Sequence, residues 1–319
     1  MKPTVLILGA RGRFGMAAAR AFSAAGWKVL GQIRPGASAR LPGVQWLPID
    51  LKDGAALAQA ASGASVVVHA LNPPYPQWEK QVPVLMEAAI DVARALDATL
   101  MFTGNVYNYG ASMPARLDEE TPQRPSTRKG ALRVAAEQRL IDSGVRSVVI
   151  RAGDYFGSGS GTWFDIALAK DIQQGKMTYP GAMDIATSWV YLPDLARSFV
   201  AVADKLVQDP STLPRHASFC FAGHQLTGND WAKLMQVVAQ EKGWLRAGQK
   251  LKIGSMPWWL IKSLSFAVPM FRELAEMQYL WHTPYALSGD KLAAFIGAQS
   301  VTPLPQALRA ALTDLGKMG

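Results

Sequence analysis

At 319 residues, with 49% apolar and 18% charged side chains, the chain has the composition of a folded protein of one or two domains, which excludes a disordered one. Its net charge of +9 is spread without a basic block, which favours anionic small molecules and supplies no nucleic-acid motif. A single cysteine, Cys220, excludes an internal disulfide and fits a reducing compartment, and four scattered histidines, His69, His216, His224 and His282, lack the spacing of a zinc site, so no metal is expected.

The first residues run straight into an apolar strand over 5–8, so no signal peptide is expected and the expected location is cytoplasmic. That strand ends in Gly9-x-x-Gly12-x-x-Gly15, and a small-residue helix over 16–25 follows. A strand, a tight glycine turn and a helix N-terminus in this order present bare backbone N–H groups to a pyrophosphate. Gly9, Arg11, Gly12, Arg13, Phe14 and Gly15 are therefore candidate cofactor contacts.

A second strand over 27–33 ends at Arg34. An acid at this strand end would bind a free ribose 2′-hydroxyl and an arginine would accept a 2′-phosphate. No acid stands here, so Arg11, Arg34, Ser38 and Arg40 favour NADP, with NAD second. A third strand over 44–49 leads to Asp50 and Leu51, where Asp50 meets the adenine edge or caps the helix over 55–61. Residues 65–70 form a continuous apolar strand of the kind buried on both faces of a parallel sheet. His69 within it is read as structural, and Ala70, Leu71 and Asn72 carry the backbone past the cofactor. A long helix over 78–96 and a strand over 99–102 continue the alternation, which predicts a doubly wound parallel α/β sheet with ligands at the carboxyl ends of its strands.

Further along, residues 102–107 (Phe-Thr-Gly-Asn-Val-Tyr), 151–157 (Arg-Ala-Gly-Asp-Tyr-Phe-Gly), 189–196, 272–279 and 288–291 join the glycine turn in a recurring order. Together they resemble the extended short-chain dehydrogenase/reductase family, the NAD-dependent epimerase/dehydratase group, over nearly the whole chain. The resemblance implies a Rossmann fold with a smaller C-terminal α/β substrate lobe. It also implies hydride transfer to or from a small carbonyl or hydroxyl substrate, assisted by a Ser or Thr hydroxyl, a Tyr that exchanges a proton and a Lys four residues later. Thr103 matches the hydroxyl. The family's Tyr-Gly-x-Ser-Lys segment falls on Lys129-Gly130-Ala131-Leu132-Arg133, so Lys129 stands at the tyrosine position and Arg133 at the lysine position.

Arg133 can still hydrogen-bond ribose hydroxyls but will not lose its proton. Three readings follow. Lys129, among like charges and partly buried, is neutral and serves as the base of an atypical oxidoreductase or epimerase-like enzyme. Alternatively a phenol, Tyr107, Tyr109 or Tyr155, supplies the proton. In the third, catalysis is lost and the protein is an NADP(H)-binding sensor or regulator.

The substrate side begins at residue 158, giving nucleotide-domain limits of 1–157 and 187–206 and a smaller lobe from 158–186 and 207–319. Residues 157–161 read as a mobile rim, 163–174 as a helix, 194–206 as a helix packed on the nucleotide domain, and 219–223 as a strand. Thr227 and Asp230 fit a helix N-terminal capping box. From residue 250 onward Met256, Trp258, Trp259, Phe266, Met270, Phe271, Met277 and Trp281 read as core, with an apolar pocket as the alternative. Pro257, Lys262 and Pro269 interrupt 253–271, which reads as a buried or cleft-lining helix; no membrane contact is expected. The expected ligand is a non-nucleotide carbonyl compound, and the helices over 78–96 and 132–143 are the candidate surface for a homodimer of the kind the family often forms.

Overall fold

A computed structural model describes residues 2–298 and 301–318 of the protein. The first half runs β1 (Thr4–Leu8), α1 (Arg13–Ala24), β2 (Lys28–Gln32), β3 (Val44–Leu47), α2 (Gly54–Ala60), β4 (Val66–His69), α3 (Trp78–Ala95), β5 (Thr99–Asn105), β6 (Arg116–Leu117), α4 (Arg128–Asp142) and β7 (Ser147–Ala152), with strand and helix alternating except at β2–β3 and β5–β6. The second half holds β8 (Asp154–Phe156), β9 (Lys176–Tyr179), β10 (Thr187–Tyr191), α5 (Leu192–Gln208), β11 (His216–Cys220), β12 (His224–Leu226), α6 (Gly228–Glu241), β13 (Lys252–Ser255), α7 (Trp258–Ser263), α8 (Pro269–Glu276), β14 (Ala286–Leu287), α9 (Asp290–Ile296) and α10 (Leu304–Asp314).

Seven strands form one parallel sheet in the order β11-β7-β5-β4-β1-β2-β3. Strands β4 and β7, with apolar centres at Val66–Val68 and Val148–Ile150, bury every residue, because helices cover both faces. On one face Leu57 of α2, Met86 and Ile90 of α3 and Leu140 of α4 pack on Leu6, Val67 and Leu100. On the other, Phe14 and Phe22 of α1 and Leu195 and Phe199 of α5 pack on Val5, Ile7 and Val68. Trp27 Nε1 donates to Asp204 Oδ1 at 2.7 Å and ties the end of α1 to α5.

The smaller lobe has its own aromatic core, in which Trp231 of α6 lies 5.1 Å from Trp189 and 5.4 Å from Phe156 between ring centroids. Helix α6 starts with the expected box: Thr227 Oγ1 accepts from the Asp230 N–H at 3.1 Å, and Asp230 Oδ2 accepts from the Thr227 N–H at 3.0 Å.

Three expectations shift. The strand expected at 219–223 forms at His216–Cys220 and pairs in parallel with β7, so part of the chain assigned from residue 207 to the smaller lobe supplies the seventh strand of the large sheet. Phe295 of α9 stacks on its Phe219 at 5.5 Å, which adds a further late element to that face. The helix expected over 163–174 is two short turns, Phe164–Leu168 and Ile172–Gln174. The helix expected within 253–271 is not a buried rod. It is an exposed strand, the short α7 and the start of α8, with Pro257 at the N-cap of α7 and Pro269 opening α8, as a residue without an N–H requires. Trp258 and Trp281 join the smaller core and Met277 joins a core of the large sheet, whereas Trp259, Phe266 and Met270 are exposed. Among the described residues no helix is long and apolar enough to cross a membrane.

Candidate functional site

At the end of β1 the chain turns on Gly9, whose φ of +73° lies in the left-handed region. A Cβ there would also stand 2.8 Å from Leu71 Cδ2. A Cβ on Gly15 would collide with the Gly9 carbonyl oxygen, so α1 packs directly on the turn. Gly12 is the N-cap of α1, offers no side-chain cap, and no acid occupies the first turn. The first N–H groups of α1 thus remain available at the positive end of the helix dipole.

Gln32, which sequence reasoning did not single out, fixes this turn from the neighbouring strand. Its Oε1 accepts from the Gly9 N–H at 3.0 Å and its Nε2 donates to the Ile49 carbonyl at 2.8 Å. A buried amide at the end of a strand beside a glycine turn was the available signal.

A cleft of about 1600 Å³ runs along the carboxyl ends of the strands. It brings together Gly9, Arg11, Gly12, Arg13, Phe14, Arg34, Asp50, Leu51, Ala70, Leu71, Asn72, Thr103, Arg133 and Tyr155. Gly15 lies beneath it as a packing glycine, and the exposed Arg40 is outside its walls, as is Lys129.

Arg133, buried on α4, donates from Nη2 to Asn72 Oδ1 at 3.1 Å and lies over the Trp78 ring at 4.5 Å and the Phe102 ring at 5.4 Å. Its Nε and the Nη1 of Arg13 are buried without a hydrogen-bond partner. Burial lowers the pKa of both guanidinium groups from the ordinary arginine value.

Thr127 caps α4 by accepting from the Gly130 N–H at 3.0 Å, which sets Lys129 and Arg133 one turn apart. Their side chains nevertheless enter different surroundings. Lys129 is 1% exposed and its ammonium pairs with the carboxylates of Glu273 and Glu276, the latter at 2.7 Å. It also donates to the Glu273 carbonyl at 3.3 Å, while the Lys129 N–H donates to Glu276 Oε1 at 3.1 Å. Arg128 adds a contact to Glu273 at 3.2 Å. The like-charge surroundings expected for Lys129 are therefore corrected: its immediate partners are two carboxylates of α8, remote in sequence and invisible to local spacing. Burial opposes ionisation of Glu276, but the hydrogen bond and charge of Lys129 outweigh it and hold that carboxyl below the ordinary value.

The phenols differ. Tyr155 opens on the cleft beside Thr103, and its hydroxyl donates to the Gly104 carbonyl at 3.0 Å. Burial pushes its pKa up to about 12 against the opposing Arg133 charge. The hydroxyls of Tyr75 and Tyr107 meet at 2.8 Å in the same cleft. Tyr109 lies behind the wall, where its hydroxyl donates to the Asp118 carbonyl at 3.2 Å beside the buried Arg151–Glu137 pair. His69 packs edge-on to Phe102 at 5.1 Å, and burial with the Arg133 charge lowers its pKa to about 3, in keeping with a structural residue.

Asp154 is the site residue whose chemistry sequence reasoning passed over. It lines the cleft on β8, and burial raises its pKa to about 7, opposed only by the nearby Tyr285 hydroxyl. Its charge is felt by Tyr75, Tyr107, Tyr155, Tyr179, Tyr279 and Tyr285. An acid between Gly153 and Tyr155 at a strand start was the signal, but Tyr285, the group nearest its carboxyl in effect, comes from a remote segment.

A family model described as NAD dependent epimerase/dehydratase family matches residues 5–213. Solved structures of the same shape include a nucleoside-diphosphate-sugar epimerase from Pseudomonas aeruginosa, at 18% identity and a TM-score of 0.71 over 98% of this chain and 97% of that one. The Bordetella bronchiseptica enzyme WbmH in complex with NAD+ matches at 18% identity and a TM-score of 0.70 over 98% of each chain. A UDP-glucuronic acid 4-epimerase from Bacillus cereus in complex with NAD matches at 15% identity and a TM-score of 0.68 over 97% and 96%. At these identities the likeness is one of fold. No curated protein matches by sequence.

Proposed function

This chain belongs to the NAD dependent epimerase/dehydratase family, and from that premise we propose that it binds NADP in the glycine-edged cleft and transfers hydride to or from a small carbonyl or hydroxyl compound. The observation that carries the reading is a pair of buried guanidinium donors without acceptors, Arg13 Nη1 and Arg133 Nε. Both residues line the same cleft as the uncapped end of α1. An unpaired buried donor costs roughly 1–3 kcal/mol, so a ligand rich in acceptors suits this place. Phosphate oxygens fit Arg13 and the first N–H groups of α1, and ribose hydroxyls fit Arg133. Such a cofactor, when bound, supplies a two-electron hydride donor or acceptor.

The choice of NADP rests on Arg34 and Arg11 at the mouth of the cleft, with the amide of Gln32 turned inward and no acid at the end of β2. Replacing Arg34 by Ala is expected to weaken NADPH binding by about tenfold and leave NADH binding nearly unchanged, as read by fluorescence titration of each. An equal effect on both would remove the NADP assignment.

Proton transfer falls to groups that open on the cleft. The pairing of Lys129 with two carboxylates, outside the cleft walls, leaves it as an anchor of α8 instead of a base. Thr103 and Tyr155 present hydroxyls for a substrate oxygen, and Tyr155 remains a proton donor across the neutral range because its pKa is pushed up to about 12. Asp154, in the same cleft, holds or releases a proton near pH 7 and is the acid or base that the reaction needs. The walls at Trp163, Ile166, Met270 and Leu274 suit an apolar carbonyl compound. The test is NADPH oxidation by purified protein over a panel of aldehydes and ketones. Turnover with at least one supports the enzyme; tight NADPH binding without turnover on the whole panel assigns the silent sensor instead.

A further inference from the structure

The segment around α7 turns several large apolar side chains toward solvent, contrary to what its composition predicts. Trp259 is 73% and Phe266 88% exposed, and Ile253, Leu260 and Leu264 are exposed with them. This is not a frayed end, because α7 is anchored from the other side. Ile261 is buried, and the indole of Trp258 donates to the Pro180 carbonyl at 2.5 Å. Adjacent tryptophans thus face opposite ways, one into the lobe and one out of it.

The charge carried by this stretch of the chain has one sign. Between residues 242 and 272 the chain carries Lys242, Arg246, Lys250, Lys252, Lys262 and Arg272 and no Asp or Glu, and all six bases are exposed. The acids that flank the segment are already paired: Glu241 with Arg309, and Glu273 and Glu276 with Lys129, Glu273 also meeting Arg272 at 3.5 Å. Lys262 follows Trp259 by three residues on α7, so a base and an indole share one exposed stretch of helix.

We propose that this face, formed by β13, α7 and the turn into α8, docks on an anionic lipid bilayer. Indole and phenyl rings seat at the headgroup boundary while lysines meet lipid phosphates, and a basic surface with protruding aromatic groups has the character of an interfacial anchor. The absence of a spanning helix among the described residues makes the attachment peripheral. A second copy of the chain is a poorer occupant, since it would bring two such basic segments together on chains that each carry +9. Met270, exposed on the same face, also lines the cleft, so the docked face lies beside the cleft mouth.

The experiment is co-sedimentation of the full chain with vesicles of phosphatidylcholine alone and of phosphatidylcholine and phosphatidylglycerol in equal parts. Binding to the anionic vesicles is expected to exceed binding to the neutral ones by about tenfold or more and to fall as salt rises. The double variant Trp259→Ser, Phe266→Ser, at two exposed positions, is expected to lose at least about tenfold in anionic-vesicle binding while keeping the wild-type circular dichroism and melting temperature. Anionic vesicles that leave the wild type in the supernatant would overturn the proposal, as would unchanged binding by the double variant. So would concentration-dependent dimerisation in analytical ultracentrifugation that the double variant abolishes, which would assign the face to a second copy. None of these outcomes depends on cofactor binding or turnover.

Discussion

Lys129→Met is expected to destabilise the protein by about 3–5 kcal/mol, the usual cost of removing one partner from a buried ion pair. The side chain removed is 1% exposed, and both carboxylates it faces are largely buried, at 6% and 14% side-chain exposure for Glu273 and Glu276. Methionine fills much of the same volume, so the loss reports the uncompensated carboxylates more than a cavity. The effect has a pH signature with a definite sign. The carboxyl of Glu276 is held below its ordinary value in the folded wild type. Its contribution is therefore present above the unfolded pKa of an ordinary glutamate and is lost as pH falls through the lower folded value. The difference between wild type and variant should be full at pH 7 and shrink on acidification, as chemical denaturation at a series of pH values reads directly. The double variant Lys129→Met, Glu273→Gln should recover part of the loss. A Lys129→Met protein as stable as wild type at pH 7 would show that the pair does not hold α8 to α4.

Asp154→Asn should lower kcat by about a hundredfold with little change in KM, within the usual span of a positioned acid or base. The carboxyl is mostly protonated below pH 7 and mostly ionised above it, because burial raises its pKa to about 7. Carbonyl reduction, which consumes a proton, should decline in the wild type as pH rises through 7, and the oxidative direction should show the opposite limb. Asparagine cannot titrate, so both limbs should flatten in the variant. Stability gives a second readout. A carboxyl whose folded pKa is raised from 3.8 to about 7 destabilises the fold progressively between those two values and by a constant amount above the higher one. A shift of this size corresponds to roughly 4 kcal/mol as an upper figure, so Asp154→Asn should gain stability relative to wild type at pH 8 and much less at pH 4. Retention of the wild-type rate and pH limb by Asp154→Asn would move the proton role to another group, with Tyr155→Phe as the next variant to examine.

Much of the nucleotide half was legible because its signals are local. The apolar runs at β1, β4 and β7, the glycines at 9, 12 and 15 and the periodic face of α3 each sit within one short window, and the parallel sheet follows from their alternation. The boundaries of the smaller lobe were less legible, since β11 joins β7 across a long sequence separation and nothing in residues 216–220 states which sheet they enter. The α7 region misled for a related reason. Composition registers that Trp259 and Phe266 are apolar but not which way a helix of six residues between two prolines faces.

The sequence by itself determined the order of strands and helices in the nucleotide half, the glycine turn with its bare helix end, the arginine after β2 and the placement of Lys129 and Arg133 one turn apart. Only the tertiary structure decided what those two side chains meet. Helix α8 brings Glu273 and Glu276 to Lys129, while Asn72, Trp78 and Phe102 receive Arg133 at the cleft. The same holds for Asp154, whose titration near neutrality is set by burial against the opposing hydroxyl of the sequence-distant Tyr285. The reason is physical: backbone geometry depends largely on neighbours in sequence, whereas the charge and protonation of a buried side chain depend on neighbours in space.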